Sequence, residues 1–164
     1  MKVYLIGMPG SGKSTLGRQL SKALNLPFVD LDTEIEKREG KPVSEIFRAH
    51  GEVYFREVES KLLQSWATSP ESFIMAVGGG SPCFNEGIGH IKNSGVSIFL
   101  DVSIDTLIRR VEGENHRPLL DAVDKRQKLE QLRKERLAVY QQAHFRITEE
   151  FVFDELVSTL RARK

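Results

Sequence analysis

The sequence predicts an α/β fold, in which a five-stranded parallel sheet carries helices on both faces. Short apolar runs alternate with longer segments whose apolar residues recur at helical spacing. Glycine or aspartate stands at the ends of four of these runs, at Gly7, Asp30, Gly78 and Asp101. Because ligands bind at the carboxyl ends of parallel strands, these residues mark the edge where we expect a site.

The predicted strands share a short apolar run that ends at a glycine or a polar residue, as in strands buried on both faces. They cover residues 3–6, 27–29, 73–77, 96–100 and 145–147. Helical segments alternate with them along the chain. Because parallel neighbours need such crossover connections, this alternation favours a parallel sheet over hairpins.

The predicted helices are recognised by apolar residues spaced three or four positions apart and by end signals. They cover about 13–24, 33–39, 44–49, a longer segment after Gly51, 103–111, 124–142 and 153–160. Ser44 and Ser103 stand where an N-cap would begin a helix, and Gly40 stands where one would end. Residues 112–122 are polar and irregular, which predicts a loop.

Composition narrows the class of protein. The 164 residues suffice for one well-packed domain. Lys and Arg number 24 against 23 Asp and Glu, a balance that argues against a general nucleic-acid partner. Cys83 is the single cysteine, so no internal disulfide can form, and no apolar run has the length of a membrane span. We therefore expect a cytoplasmic protein without a membrane partner.

Residues 7–14, GMPGSGKS, match G-x-x-x-x-G-K-[ST] at every defined position. Glycines let backbone N–H groups turn inward at an anion, and the helix beginning near Lys13 directs its positive end there. Lys13 would place a charge on the β- and γ-phosphates, and Ser14 a hydroxyl on magnesium. The motif predicts binding of a nucleoside triphosphate, but it is shared by proteins that hydrolyse, sense or transfer phosphate.

Asp30 and Asp32 lie two residues apart at the end of the second predicted strand. In an extended segment, alternate residues share a face. One carboxylate could support magnesium while the other accepts a proton from an alcohol. The alternative is that Asp32 only caps the following helix.

Three other stretches are not assigned a function by their local pattern alone. Arg56 lies away from the apolar stripe of its helix, so on local grounds it is a solvated surface arginine. Gly78, Gly79 and Gly80 either let a ligand approach backbone N–H groups or form a flexible turn. Arg117 either closes over phosphate as part of a lid or belongs to an ordinary loop.

Arg136 has an unusual position on its predicted helix. At 100° per residue, Leu129, Leu132, Arg136 and Tyr140 fall on one face. A guanidinium among apolar residues is costly unless a carboxylate pairs with it. That carboxylate could come from an internal Asp or Glu or from a ligand.

Taken together, these stretches resemble the shikimate kinase family over nearly the whole chain. The matching motifs are GMPGSGKST, DLD at 30–32, FR at 55–56, GGG at 78–80, RPLL at 117–120 and R-x-x-x-Y at 136–140. The resemblance implies a P-loop kinase fold in one domain, 1–164. It also implies a helical substrate-binding insertion at about 32–60 and a lid at about 112–122. The implied reaction transfers the γ-phosphoryl group of ATP to the 3-hydroxyl of shikimate.

The resemblance also implies a role for each motif residue. The catalytic residues would be Lys13, Asp32 and Arg117. The shikimate-binding residues would be Asp32, Arg56, Gly78, Gly79, Gly80 and Arg136. ATP would contact Gly10, Ser11, Gly12, Lys13, Ser14, Thr15, Arg110 and Arg117. The cofactor would be Mg²⁺, on the side of Ser14 and Asp30.

Two other functions are weighed against this one. A gluconate-type kinase of the same fold would share the phosphate loop and a carboxylate base. A nucleotide-dependent regulatory ATPase would share the loop alone. Neither requires the aspartate pair, Arg56, the glycine triplet and Arg136 together. We expect a monomer that binds ATP and shikimate as its small-molecule partners.

Overall fold

Five strands form one sheet in the order β2-β3-β1-β4-β5. The computed structural model describes residues 1–111 and 125–163. The strands are β1 (Lys2–Ile6), β2 (Phe28–Asp30), β3 (Phe73–Ala76), β4 (Val96–Leu100) and β5 (Phe145–Ile147). All four pairings are parallel. The predicted sheet is therefore confirmed, with each strand within one residue of its expected limits.

The helices of the described residues flank this sheet. They are α1 (Lys13–Leu24), α2 (Leu31–Glu39), α3 (Val43–Thr68), α4 (Gly87–Ser94), α5 (Ile104–Val111), α6 (Lys125–Tyr140) and α7 (Phe153–Arg161). The helix α4 and a 3-10 turn before it, Ser81–Cys83, were not predicted. Two glycines lower the helix propensity of α4, and the buried Ile91 anchors it. The predicted lid, 112–122, lies outside the described residues, as does Arg117.

The long helix α3 contains the break that the sequence predicted at Gly51. Gly51 has φ 82° and ψ 176°, so two helical segments meet there at a kink. The prediction that Ser44 caps the first segment is wrong. Pro42 occupies the N-cap, and the first backbone N–H of the helix donates to Glu36 Oε1 at 3.0 Å.

Each face of the sheet has its own apolar core. Along β1, Val3 and Leu5 pack on the side of α1 and α7, while Tyr4 and Ile6 pack on the opposite side. This alternation is the two-residue period of a strand buried on both faces. The parallel strands therefore present their carboxyl ends together at one edge, where the phosphate loop, Asp30 and the glycine triplet follow. Among the described residues, no helix combines the length and the apolar character needed to cross a membrane.

Candidate active site

The phosphate loop joins β1 to α1 through glycines with left-handed backbone conformations. Gly7, Gly10 and Gly12 have φ values of 144°, 77° and 95°. A Cβ on Gly7 would also lie 2.8 Å from the carbonyl oxygen of Leu100, against the neighbouring strand. These backbone angles and this close approach require glycine, which explains the spacing of the motif.

Lys13 is buried at the first position of α1. Its Nζ donates to the carbonyl oxygens of Gly7 at 3.0 Å and Met8 at 2.9 Å. The Lys13 ammonium group therefore lies inside the concave side of the loop. A phosphate entering this concave side would meet both the charge of Lys13 and the positive end of α1.

A cavity of about 560 Å³ opens beside the loop, a volume typical of small-molecule sites. It is lined by Gly10, Ser11, Gly12, Lys13, Ser14, Thr15, Leu16, Gln19, Leu100, Arg110 and Phe151. Every predicted ATP-binding residue that the structure describes is among them. Sequence reasoning missed Gln19 and Phe151. The available signal for Phe151 was an aromatic residue directly after the polar residues 148–150, TEE.

Of two adjacent arginines on α5, the structure directs Arg110 to the phosphate loop. Its Nη1 donates to the carbonyl oxygen of Gly10 at 3.3 Å. Arg109 instead donates through Nη2 to Thr106 Oγ1 at 3.0 Å, within its own helix. Arg110 is therefore the arginine that borders the cavity.

Ser14 and Asp30 meet between the phosphate loop and β2. Ser14 Oγ donates to Asp30 Oδ2 at 2.9 Å, and Asp30 Oδ1 accepts from the backbone N–H groups of Asp32 and Thr33. Asp30 therefore caps α2, and the alternative that Asp32 serves as the cap is wrong. Two oxygen-bearing side chains converge at this point beside the loop.

The glycine triplet directly follows Val77 and borders Asp32 and Arg136. A Cβ on Gly78 would lie 3.1 Å from Asp32 Oδ1. A Cβ on Gly79 would lie 3.1 Å from Arg136 Nη1 and 3.0 Å from Pro9 Cδ of the phosphate loop. The triplet therefore brings Asp32 and Arg136 close together beside the phosphate loop, which its interpretation as a flexible turn does not explain.

Arg56 is buried, so its local interpretation as a surface arginine is wrong. A Cβ on Gly80 would lie within 2.4–2.5 Å of three atoms of its guanidinium. Its Nη1 donates to Glu59 Oε1 at 2.7 Å, and the other carboxylate oxygen of Glu59 accepts from Ser81 Oγ. Glu59 was missed, although it stands three residues after Arg56, the spacing of a helical ion pair.

Arg136 lies on the apolar face of α6, as predicted. Leu129, Arg136 and Tyr140 are buried, and Leu132 packs against the same core. Within residues 1–111 and 125–163, no carboxylate is within salt-bridge distance of the Arg136 guanidinium. The neighbouring Tyr140 hydroxyl donates to the carbonyl oxygen of Gly79, and burial raises the pKa of Tyr140. A buried guanidinium without an ion-pair partner in the described protein is suited to an anionic ligand.

Asp101, at the end of β4, is engaged by two arginines. Its Oδ1 accepts from Arg133 Nη2 at 2.7 Å and its Oδ2 from Arg146 Nε at 2.8 Å. Arg133 comes from α6 and Arg146 from β5. This carboxylate therefore ties α6 and β5 to the end of β4.

Comparisons with known proteins agree on one family. A family model described as shikimate kinase matches residues 9–160. The shikimate kinase of Clostridium botulinum (strain 657 / Type Ba4) is 41% identical over 164 residues, 99% of this chain and 95% of the relative.

Solved structures show the same likeness. The shikimate kinase from Acinetobacter baumannii in complex with shikimate has a TM-score of 0.90 and 31% identity, covering 99% of this chain and 91% of the other. The shikimate kinase from Bacteroides thetaiotaomicron has a TM-score of 0.87 and 32% identity, covering 99% and 97%. The likeness therefore extends over nearly the whole of this chain.

Proposed function

The chain belongs to the shikimate kinase family, and from this premise we propose how its residues divide the reaction between them. The family activity is ATP-dependent transfer of the γ-phosphoryl group to the 3-hydroxyl of shikimate, a step in chorismate and aromatic amino acid biosynthesis. The observation that carries our proposal is the glycine triplet. Its positions adjoin Asp32, Arg136 and Arg56 in turn, next to the phosphate loop.

The donor half of the proposed site is the cavity beside the phosphate loop. Loop N–H groups would bind the phosphates of ATP, and Lys13 Nζ would exchange the carbonyl oxygens of Gly7 and Met8 for charged phosphate oxygens. The ammonium is charged in both cases, but a phosphate oxygen also carries the opposite charge, so the exchange adds a Coulomb attraction. Arg110 would flank the adenine, and Phe151 offers an aromatic surface at the same cavity.

Ser14 and Asp30 fit a magnesium site. Mg²⁺ prefers oxygen ligands and is usually held by one or two protein groups together with substrate phosphates and water. Among the described residues, no group of three His, Cys, Asp or Glu could hold a metal, so phosphates would complete the coordination. When bound, the ion neutralises charge on the β- and γ-phosphate oxygens.

The acceptor half would bind shikimate through its carboxylate and its hydroxyls. Arg56 and Arg136 are both buried, and both adjoin the triplet, so their forks can bind one carboxylate from two directions. Asp32, at the other end of the triplet, would then hold the reacting hydroxyl. This arrangement fixes the ring at two ends, and such positioning supplies much of the rate.

In the proposed step, the hydroxyl oxygen attacks the γ-phosphorus as the bond to the β,γ-bridging oxygen breaks. The bridging oxygen leaves on ADP with the electron pair, and Asp32 accepts the hydroxyl proton. Arg117, which lies outside the described residues, is proposed to stabilise charge on the transferring group. Lys13 would stabilise the same charge from the loop.

A coupled assay tests the function. Purified protein with ATP, magnesium and shikimate should form ADP and shikimate 3-phosphate, and gluconate should not replace shikimate. Formation of ADP at the same rate without any alcohol would favour the regulatory ATPase instead. A monomeric state and a cytoplasmic location stay predictions from the sequence.

A further inference from the structure

We propose that Phe84 is a positioning residue that holds Arg56 in its substrate-binding orientation and thereby raises the affinity for the acceptor carboxylate. The inference rests on the proposed function, because it takes Arg56 as a ligand of that carboxylate. It adds Phe84, which would affect carboxylate binding only through its contact with Arg56. Phe84 lies in none of the motifs identified in the sequence.

The segment that follows the glycine triplet folds around Arg56. A Cβ on Gly80 would lie 2.4, 2.5 and 2.5 Å from Nη2, Cζ and Nη1. These nearly equal distances place the Gly80 backbone over the face of the guanidinium. Ser81 then donates to Glu59, the carboxylate that pairs with Arg56 Nη1.

Phe84 adds an aromatic surface to this enclosure. Its ring centroid lies 4.4 Å from Arg56 Cζ, closer than the 5.3 Å from the ring of Phe55. Phe84 is 39% exposed, whereas Arg56 is only 7% exposed. The ring of Phe84 is therefore a partly solvated layer against a guanidinium that water hardly reaches. A cation over an aromatic face is attracted by the ring, and more strongly when water is excluded.

The backbone after Phe84 is held against the same arginine. Asn85 and Glu86 have φ values of 48° and 58°, a left-handed conformation that asparagine tolerates but that is uncommon for a residue such as glutamate. The Asn85 side-chain amide donates to the carbonyl oxygen of Arg56 at 3.2 Å. Two successive residues in this conformation persist only where surrounding contacts determine them. The hydrogen bond to the Arg56 carbonyl oxygen is one such contact, so the turn that carries Phe84 is attached to the backbone of α3 beside Arg56.

This enclosure leaves one side of the guanidinium for a ligand. Nη1 is committed to Glu59 at 2.7 Å, whereas Nη2 is 3.4 Å from Glu52, whose side chain is 48% exposed. Nε is buried and makes no hydrogen bond within the described part of the chain. The Phe84 ring offsets part of the cost of removing this charge from water. It also restricts the rotamers of Arg56, which lowers the entropy lost when a carboxylate binds Nη2.

The test compares Phe84→Leu, which removes the aromatic face, with Phe84→Tyr, which keeps it. Titration calorimetry would measure binding of shikimate and of its uncharged carboxamide, and steady-state assays would measure KM and kcat. We expect Phe84→Leu to weaken shikimate binding about three- to tenfold, with kcat and the KM for ATP within twofold of wild type. Phe84→Tyr should restore the affinity. The carboxamide should bind both proteins equally, because it lacks the charge that Arg56 would bind.

Phe151→Leu is the matched variant on the donor side, since Phe151 is a phenylalanine of similar exposure in the nucleotide cavity. It should raise the KM for ATP and leave that for shikimate unchanged. Unchanged shikimate binding in Phe84→Leu would overturn the inference. An equal loss for the carboxamide would also overturn it, because the effect would then not depend on the charge that Arg56 would bind. An equal loss for ATP would overturn it as well, because it would indicate general misfolding. A wild-type protein that fails to phosphorylate shikimate would instead refute the proposed function.

Discussion

The two halves of the proposed site are built in different ways. The phosphate-binding part of the donor half is continuous in sequence, because the loop and the first turn of α1 supply the backbone N–H groups, Lys13 and Ser14. The acceptor half takes its side chains from α2, α3 and α6 and arranges them around the glycine triplet. A backbone cradle is insensitive to most single side-chain changes outside its motif. The acceptor half depends on individual side chains, so single substitutions there should separate shikimate binding from ATP binding.

The largest expected effect is from Asp32→Ala. Removal of the carboxylate that is proposed to orient and deprotonate the hydroxyl should lower kcat by roughly 10²- to 10⁴-fold, the usual range for a general base. ATP binding, measured by calorimetry, should stay near that of wild type because Asp32 belongs to the acceptor half. A variant that kept most of its turnover would contradict the role assigned to Asp32.

Arg136→Ala should have the next largest effect. Loss of one charged partner of a buried ion pair costs about 2–5 kcal/mol, so the KM for shikimate should rise roughly 100-fold. The KM for ATP should change little. Arg136→Lys is the control for geometry, since a lysine keeps the charge but loses the bidentate fork. If lysine restored full shikimate affinity, a bidentate contact at this position would be refuted.

A smaller effect is expected when the support of Arg56 is altered. Glu59→Gln removes the charge of a buried partner, and we expect about tenfold weaker shikimate binding because hydrogen bonds to charged groups contribute about 1.5–3 kcal/mol. Glu52→Gln is the matched control, since Glu52 is a half-exposed partner of the same arginine at 3.4 Å. An exposed pair contributes little, so shikimate binding should stay within twofold. Equal effects of the two substitutions would show that burial of Glu59 does not matter.

The smallest effect is expected in the donor half, from Arg110→Ala. Arg110 is exposed and makes one long hydrogen bond to the loop, so the KM for ATP should rise only a few-fold. Arg109→Ala is the control, because Arg109 contacts Thr106 in its own helix. A change in the KM for shikimate in either variant would contradict the separation of ATP binding from shikimate binding.

The elements of the molecule were predictable because their signals are local. Each strand is a short apolar run, and Gly51 marked the kink in α3. The helix α4 was missed, because its two glycines obscure the helical pattern and its stability comes from packing of Ile91. The Ser44 cap was also wrong, because Glu36 from another helix replaces it. Local sequence patterns do not show that a side chain from another helix will take the place of the expected cap.

The sequence by itself determined the sheet, the phosphate loop and the placement of Arg136 on an apolar face, because glycine spacing and periodicity act within one segment. Only the tertiary structure decided that Arg56 is buried, that Asp30 rather than Asp32 caps α2, and that Glu59 and Phe84 enclose Arg56. The burial of Arg56 and its contact with Phe84 join segments that are distant in the chain. The Asp30 cap and the Arg56–Glu59 pair are local, but the local pattern permitted other arrangements as well. Periodicity describes which face of a helix is apolar, whereas the neighbour of the other face depends on how the helices pack around the sheet.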